Sequence, residues 1–286
     1  MRRFSRDPGP RCRRDFGAQL EAIVAADKPD SDFEVIVADN GSSDDTVEIA
    51  RSFMSRLPLR VIDAGARASS NYARNRGVLA ASHPNILLVD GDDCVDPGWL
   101  TAMARAFAEG HELVAGPIDY IRLNKAETRA WRGADRASVA TMLEFLPMAH
   151  GANLGFTRDL YDRLGGFDDD FEFGGPDVEF CWRAQLSGAR LHEIPDAVVH
   201  YRLRPSLRTL FKQSRAYGAA EAHLYKKFRP HGLRRRRLSA LAHDVWWIAT
   251  RAPFARSPER RGAWIRRSGR QIGRFEGARK YRVAWW

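Results

Sequence analysis

Three carboxylates occupy four positions at Asp90-Gly91-Asp92-Asp93, directly after the apolar run Ile86-Leu87-Leu88-Val89. Four apolar residues in a row predict a short buried strand. Acids crowded at the end of such a strand repel one another and are costly to desolvate. A divalent cation relieves both problems, because hard cations take carboxylate oxygens and bridge them to the phosphates of a nucleotide. The same residues also read as a polar turn, with Asp93 or Asp96 capping a helix that opens at Pro97. Two further acidic stretches follow the same pattern of an element ending in acids. Asp39-Asn40-Gly41-Ser42-Ser43-Asp44-Asp45-Thr46 follows the apolar stretch Phe33–Ala38. Asp177 and Glu179 follow Gly174-Gly175-Pro176, a backbone bend, in the first turn of a helix where the dipole favours a carboxylate.

The elements that must position these acids alternate along the chain. Helical spacing places Phe16, Leu20, Ile23 and Val24 on one face of Phe16–Ala26. Strands are expected over Phe33–Ala38, Leu59–Ala64 and Ile86–Asp90, and helices over Asn71–Ala81 and from Pro97 to Glu109. His150–Phe156 reads as a strand near the crevice, and the strand pair Arg190–Ile194 and Ala197–Tyr201 places His200 near a strand end. Such alternation indicates an α/β fold, a mostly parallel sheet with helices on both faces. Ligands in these sheets bind beyond the carboxyl ends of the strands, so Asp39 and Asp90 should converge on one crevice.

Composition sets the outer bounds. The chain has 286 residues and 44% hydrophobic residues, enough for one large α/β domain with an appendage. Cys12, Cys94 and Cys181 are far apart, which suggests a reducing compartment without a disulfide framework. No run approaches the about 18 apolar residues of a membrane span, and no signal peptide is evident. The net charge of +10 is unevenly spread. Residues 1–201 balance at −9, whereas residues 202–286 carry 23 basic and 4 acidic residues, +19. A basic tail on an acidic body points to a polyanionic surface, anionic lipid or nucleic acid. Arg234–Arg237, together with Trp246, Trp247, Trp264, Trp285 and Trp286 among arginines, suits a membrane interface.

The acidic stretches, with Ala73-Arg74-Asn75-Arg76-Gly77 and Val199-His200, resemble the inverting GT-A glycosyltransferases of family 2 over Phe16 to Arg204. Each motif is weak alone; their order and spacing carry the likeness. The resemblance implies a GT-A fold and three regions: an irregular segment 1–15, a catalytic domain 16–204 and a basic helical tail 205–286. It further implies a nucleotide-sugar donor, probed first as a UDP-sugar, and Mn²⁺ or Mg²⁺ as cofactor. By the same likeness, Asp39 and Arg74 hold the nucleotide, Asp90 binds ribose or metal, Asp92 is the main metal ligand and His200 a second one. Asp177 falls on the catalytic base, with Glu179 as an acceptor contact, although Pro176 stands where the family usually has Glu. A glycan or lipid-linked acceptor at the inner face of the plasma membrane fits this picture, and nucleic acid is not expected as a partner. The rival readings are a nucleotidyltransferase and a non-catalytic homologue that binds membrane or nucleic acid through its tail.

The start of the chain departs from the pattern. Family members open on an apolar strand, whereas Met1–Arg14 carries six arginines, Pro8 and Pro10. An irregular segment is therefore expected here, with a gap in the sheet beside Phe33–Ala38.

Overall fold

The computed structural model describes residues 10–171, 174–251 and 257–286. It opens with α1 (Pro10–Ala25), β1 (Val35–Asp39), α2 (Thr46–Ser52), β2 (Leu59–Asp63), α3 (Ser70–Ala80) and β3 (Asn85–Val89). There follow β4 (Cys94–Val95), α4 (Trp99–Ala108), β5 (Leu113–Ala115), β6 (Ile118–Asp119), α5 (Ala126–Arg132) and β7 (Arg136–Ala137). A hairpin of β8 (Ala140–Met142) and β9 (Leu146–Met148) leads to β10 (Asn153–Thr157), α6 (Arg158–Leu164) and α7 (Pro176–Leu186). The chain closes with β11 (Leu191–Glu193), β12 (Val199–His200), α8 (Leu207–Phe228), α9 (Leu238–Thr250) and α10 (Pro258–Tyr281).

The α/β class holds, and the strand directions are more mixed than the alternation suggests. β1 and β2 pair in parallel as a two-stranded sheet. A second sheet has the order β11-β5-β10-β3, in which β10 runs antiparallel to both neighbours. Its position is set by Asn153, fully buried, whose amide donates to the carbonyls of Pro117 and Ala197 and accepts from the Trp99 indole. A third small sheet, β4-β12-β6-β7, brings His200 beside Cys94 and Asp119.

Among the described residues β1 and β3 have no common neighbour; the expected gap beside β1 turns on residues 1–9, which lie outside the described residues. Among the described residues β3 pairs only with β10. Ile86 is buried, but Leu87, Leu88 and Val89 are only partly so, and the expectation of a fully buried strand does not hold. The irregular reading of Met1–Arg14 is also corrected in part. Helix α1 begins at Pro10, whose missing N–H is no loss in a first turn; residues 1–9 lie outside the described residues. Phe16, Leu20 and Ile23 of α1 then pack with Val37, Leu59, Val95, Trp99 and Met103, which seats the helix across both sheets.

The C-terminal helices are not an appendage. Leu224 and Phe228 of α8 bury against Phe171, Val178 and Trp182, so α8 shares a core with α7. Helices α8 and α10 touch backbone to backbone. A Cβ on Gly218 would fall 2.0 Å from the Arg270 carbonyl oxygen, and one on Gly273 1.8 Å from that of Arg215. Only glycine permits such an approach. The spacing Gly269-Gly273-Gly277 puts three such residues on one helix face, a signal present in the sequence.

Candidate active site

The carboxylates of Asp90, Asp92 and Asp93 lie within 4.8 Å of one another at the end of β3. A turn of three acids needs positive partners, and Arg202 supplies one. Its backbone N–H donates to Asp93 Oδ1 at 2.7 Å, its Nε donates to the Asp92 carbonyl, and its guanidinium pairs with Asp15 at 3.1 Å. Gln19 of α1 adds a clamp: its amide donates to the Asp90 carbonyl and accepts from the Val95 N–H. Asp93 is fully buried in this scaffold, whereas Asp92 is part-exposed. Asp90 and Asp92 are therefore the acids placed to reach a ligand.

Arg74 comes from α3 and lies 3.8 Å from Asp90, over the ring of Phe167. Its helix is tied to the loop that precedes α7. Asn71 donates to the carbonyls of Asp168 and Phe171; Asn75 donates to that of Phe167 and accepts from the Phe167 N–H and the Tyr161 hydroxyl. Burial pushes the Tyr161 phenol up to about 12, so it remains a donor. The Asn71-x3-Asn75 spacing offered this stitch to a reader of the sequence only as two polar residues on one helix face.

Asp177 opens α7 after Gly174 and Gly175, both at positive φ. Its Oδ2 accepts from the Gly151 N–H at 3.1 Å, and its Oδ1 from the Val178 N–H. Gly151 is the point of contact between the two sides of the site. A Cβ there would lie 2.9 Å from an Arg74 nitrogen and 3.3 Å from the Asp177 Cβ. The structure thus brings Arg74, Asp90 and Asp177 together, and it adds His150. Burial pushes the His150 imidazole below its usual value; Arg132 pushes the same way, against Asp177 and Asp90. Composition gave no sign of His150, because nothing in its neighbours marks it as a site residue.

Asp39 ends β1, where its Oδ1 accepts from the Ser42 N–H and Gly41 turns with φ 75°. Two expected site residues lie elsewhere. His200 is not in the Asp90 cluster: its two ring nitrogens meet Asp119 at 2.8 Å and Asp96 at 3.2 Å. Burial raises the Asp119 carboxyl, but hydrogen bonds from His200 and from the Arg122 and Ile121 backbone together outweigh it and hold it low. Glu179 is fully buried and ion-paired to Arg183 and to Lys227, the latter at 2.7 Å. The expectation of an acceptor contact does not fit that placement. Glu179 instead locks α7 to α8, since an i, i+2 offset from Asp177 turns it to the opposite helix face.

Beside Asp177 opens a cavity of about 200 Å³. Gly174, Gly175 and His150 line it near the acid, Tyr120, Trp131 and Tyr217 farther along, with Arg132, Arg204 and Arg270. Its walls come from α5, the β8–β9 hairpin, α8 and α10.

The comparisons agree with this geometry. The chain is 29% identical over 271 residues to the glycosyltransferase AglE of Haloferax volcanii, covering 93% of this chain and 86% of that one. It is 27% identical to the hyaluronan synthase of Pasteurella multocida, over 64% of this chain but 23% of the synthase. Among solved structures, the mannosyltransferase PcManGT of Pyrobaculum calidifontis, in complex with GDP-Man and Mn²⁺, superposes with a TM-score of 0.64 at 20% identity. That match covers 92% of this chain and 83% of the other. TarS 1-349 of S. aureus in complex with UDP gives 0.54 at 16%, covering 94% and 89%. These likenesses show the GT-A fold. The glycosyl transferase family 2 model matches residues 18–165, from α1 through the acidic turn to the end of α6, and the chain belongs to that family.

Proposed function

We propose that this protein transfers a sugar from a nucleoside-diphosphate sugar to an acceptor hydroxyl with inversion. The observation that carries the reading is that Arg74 lies 3.8 Å from Asp90 and meets Asp177 across Gly151, with Asp177 lining a cavity. Asp39 and Arg74 hold the nucleotide side. Asp177 faces the cavity, takes the proton of the acceptor hydroxyl, and directs attack on the anomeric carbon from the face opposite the diphosphate. Its two backbone hydrogen bonds fix the carboxylate in one orientation before the acceptor arrives.

The donor set suits a hard divalent cation, Mn²⁺ or Mg²⁺, because all three clustered groups are carboxylates. Asp92 and Asp90 would hold it, and it would neutralise charge building on the departing diphosphate. Asp92→Ala should abolish metal-dependent binding of UDP or GDP in calorimetry. An unchanged nucleotide affinity would remove Asp92 from the site. A panel of UDP- and GDP-sugars, read by release of the free diphosphate, assigns the donor; release of pyrophosphate would instead favour nucleotidyl transfer.

The surface of α9 supports peripheral attachment to an anionic membrane. Leu238, Val245 and Trp246 are each at least half exposed, next to exposed Arg234, Arg235 and Arg237. No described helix is long and apolar enough to cross a membrane. The tryptophan pattern narrows in the folded chain: Trp285 is buried, and Trp264 donates inward to the Ile248 carbonyl. Among the described residues the exposed large apolar side chains of the C-terminal helices are Leu238, Val245 and Trp246 on α9, with Ile272 and Phe275 on α10.

A further inference from the structure

The cavity beside Asp177 is lined by three arginines and one carboxylate, and that carboxylate is Asp177 itself. We propose that it binds a phosphoryl group carried by the acceptor, with Arg132 and Arg270 as direct partners and Arg266 reinforcing them from behind. This rests on reading the cavity as the acceptor site.

Three observations converge. Arg132, at the end of α5, has no carboxylate partner among the described residues; it donates to the Tyr120 hydroxyl at 3.0 Å and lies over that ring. Arg270 pairs with Glu221, which it shares with Arg274, and 40% of its side chain stays exposed. Arg266 stands one turn before Arg270, next to Gly133, and its buried Nε has no hydrogen-bond partner. Burial, together with repulsion from Arg132, Arg270 and Arg267, pushes the Arg266 guanidinium down to about 10. Of these three arginines only Arg270 meets an acid, Glu221, among the described residues, which leaves an anion to balance Arg132 and Arg266. Guanidinium forks match phosphoryl oxygens in pairs, and a phosphoryl group brings nearly two negative charges near neutral pH. Arg132, Arg270, His150 and Asp177 line the same cavity of about 200 Å³, which puts the anion site and the base in one enclosure. The ligand class is thus a phosphate monoester on the acceptor, a sugar phosphate or a lipid phosphate headgroup, for which farnesyl phosphate, lacking a hydroxyl, probes binding alone.

Calorimetry on the full chain, without donor and without metal, tests this apart from donor chemistry. The probes are glucose 1-phosphate, farnesyl phosphate, and the uncharged or monoanionic controls glucose, farnesol and glucuronate. At least one phosphate should bind about tenfold or more tightly than its control, and Arg132→Gln and Arg266→Gln should each remove about tenfold. Arg132→Lys should recover part of the loss. Preference for glucose 1-phosphate assigns the free ester, and preference for farnesyl phosphate the lipid headgroup. Glucuronate binding as tightly as either phosphate, or unchanged affinity in both folded arginine variants, overturns the proposal. Phosphate binding in a protein that binds no nucleotide sugar would leave this site standing and sink the transferase reading instead.

Discussion

The acidic turn after β3 and the arginine-lined cavity flank Asp177, and they are built in opposite ways. In the turn, charge is concentrated by neighbours in sequence: Asp90, Asp92 and Asp93 share one strand end. In the cavity, charge is concentrated by tertiary packing: Arg132 comes from α5, Arg204 from the segment after β12 and Arg270 from α10. Repulsion is relieved differently as well. Arg202 clamps the turn mainly through backbone groups and leaves carboxylate oxygens toward the crevice. Behind the cavity, Glu221 and Asp244 are buried, and each binds arginines: Arg270 and Arg274 on the first, Arg236, Arg267 and Arg274 on the second. Two of the four acids of the last 85 residues are thus buried among arginines, and Lys227 and Arg202 reach acids earlier in the chain, Asp168 and Glu179 for the first and Asp15 for the second. The contrast shows why net charge along the chain is an incomplete guide to a polyanionic surface when arginines such as Arg236, Arg267, Arg270 and Arg274 are tied to buried acids.

The sharpest way to break the comparison is at the acid shared by both sides. Asp177→Asn keeps shape and loses basicity, so transfer should fall by roughly 10²–10⁴-fold while nucleotide binding survives. Near-normal turnover in a steady-state transfer assay would move the base elsewhere, with Asp169 next, paired to Arg67 on an exposed surface.

Cutting the helix pair should cost stability on a similar scale. Glu221→Ala removes the buried acid shared by Arg270, which is 40% exposed, and Arg274, which keeps Asp244, an expected loss of about 3 kcal/mol in denaturant unfolding. Burial raises the Glu221 carboxyl, but Arg270 and Arg274 override it and hold it below 4.5. The contribution is thus fully present above pH 4.5 and is lost as pH falls through the lowered value. Glu221→Gln should flatten that acid limb; an unchanged pH dependence would show that the acid does not anchor α8 to α10.

Gly151→Ala probes the junction itself. The added methyl must displace Arg74 or Asp177, and a misplacement of that size should lower transfer by about 10²-fold with little change in melting temperature. Activity within twofold of wild type would mean that the two side chains need not approach so closely.

The smallest effect is at the surface. Trp246→Ser should weaken binding to phosphatidylserine vesicles severalfold, and raised salt should weaken it further, since exposed charges are screened over about 8 Å at physiological ionic strength. Truncating after Arg204 would not test this, because α8 shares the core of α7.

Sequence alone determined what depends on neighbours along the chain. The acidic turn, the helix-opening Asp177 behind two glycines, Arg74 on α3 and the alternation of strands and helices were all legible, because period, turn chemistry and charge spacing are local properties. Only the tertiary structure decided the rest. Glu179 and His200 look like site residues by the family likeness, yet a long-range ion pair of Glu179 with Lys227 and a hydrogen bond of His200 with Asp119 use them for structure. Conversely, His150, Gly151, Arg132 and Arg202 carry no local mark; they enter the site because β10, α5 and the segment after β12 fold back onto the ends of β3 and α7. The C-terminal helices read as a separate basic tail for the same reason. Their role depends on glycine contacts between α8 and α10, and on an acid on one helix meeting arginines on the other, about fifty residues apart.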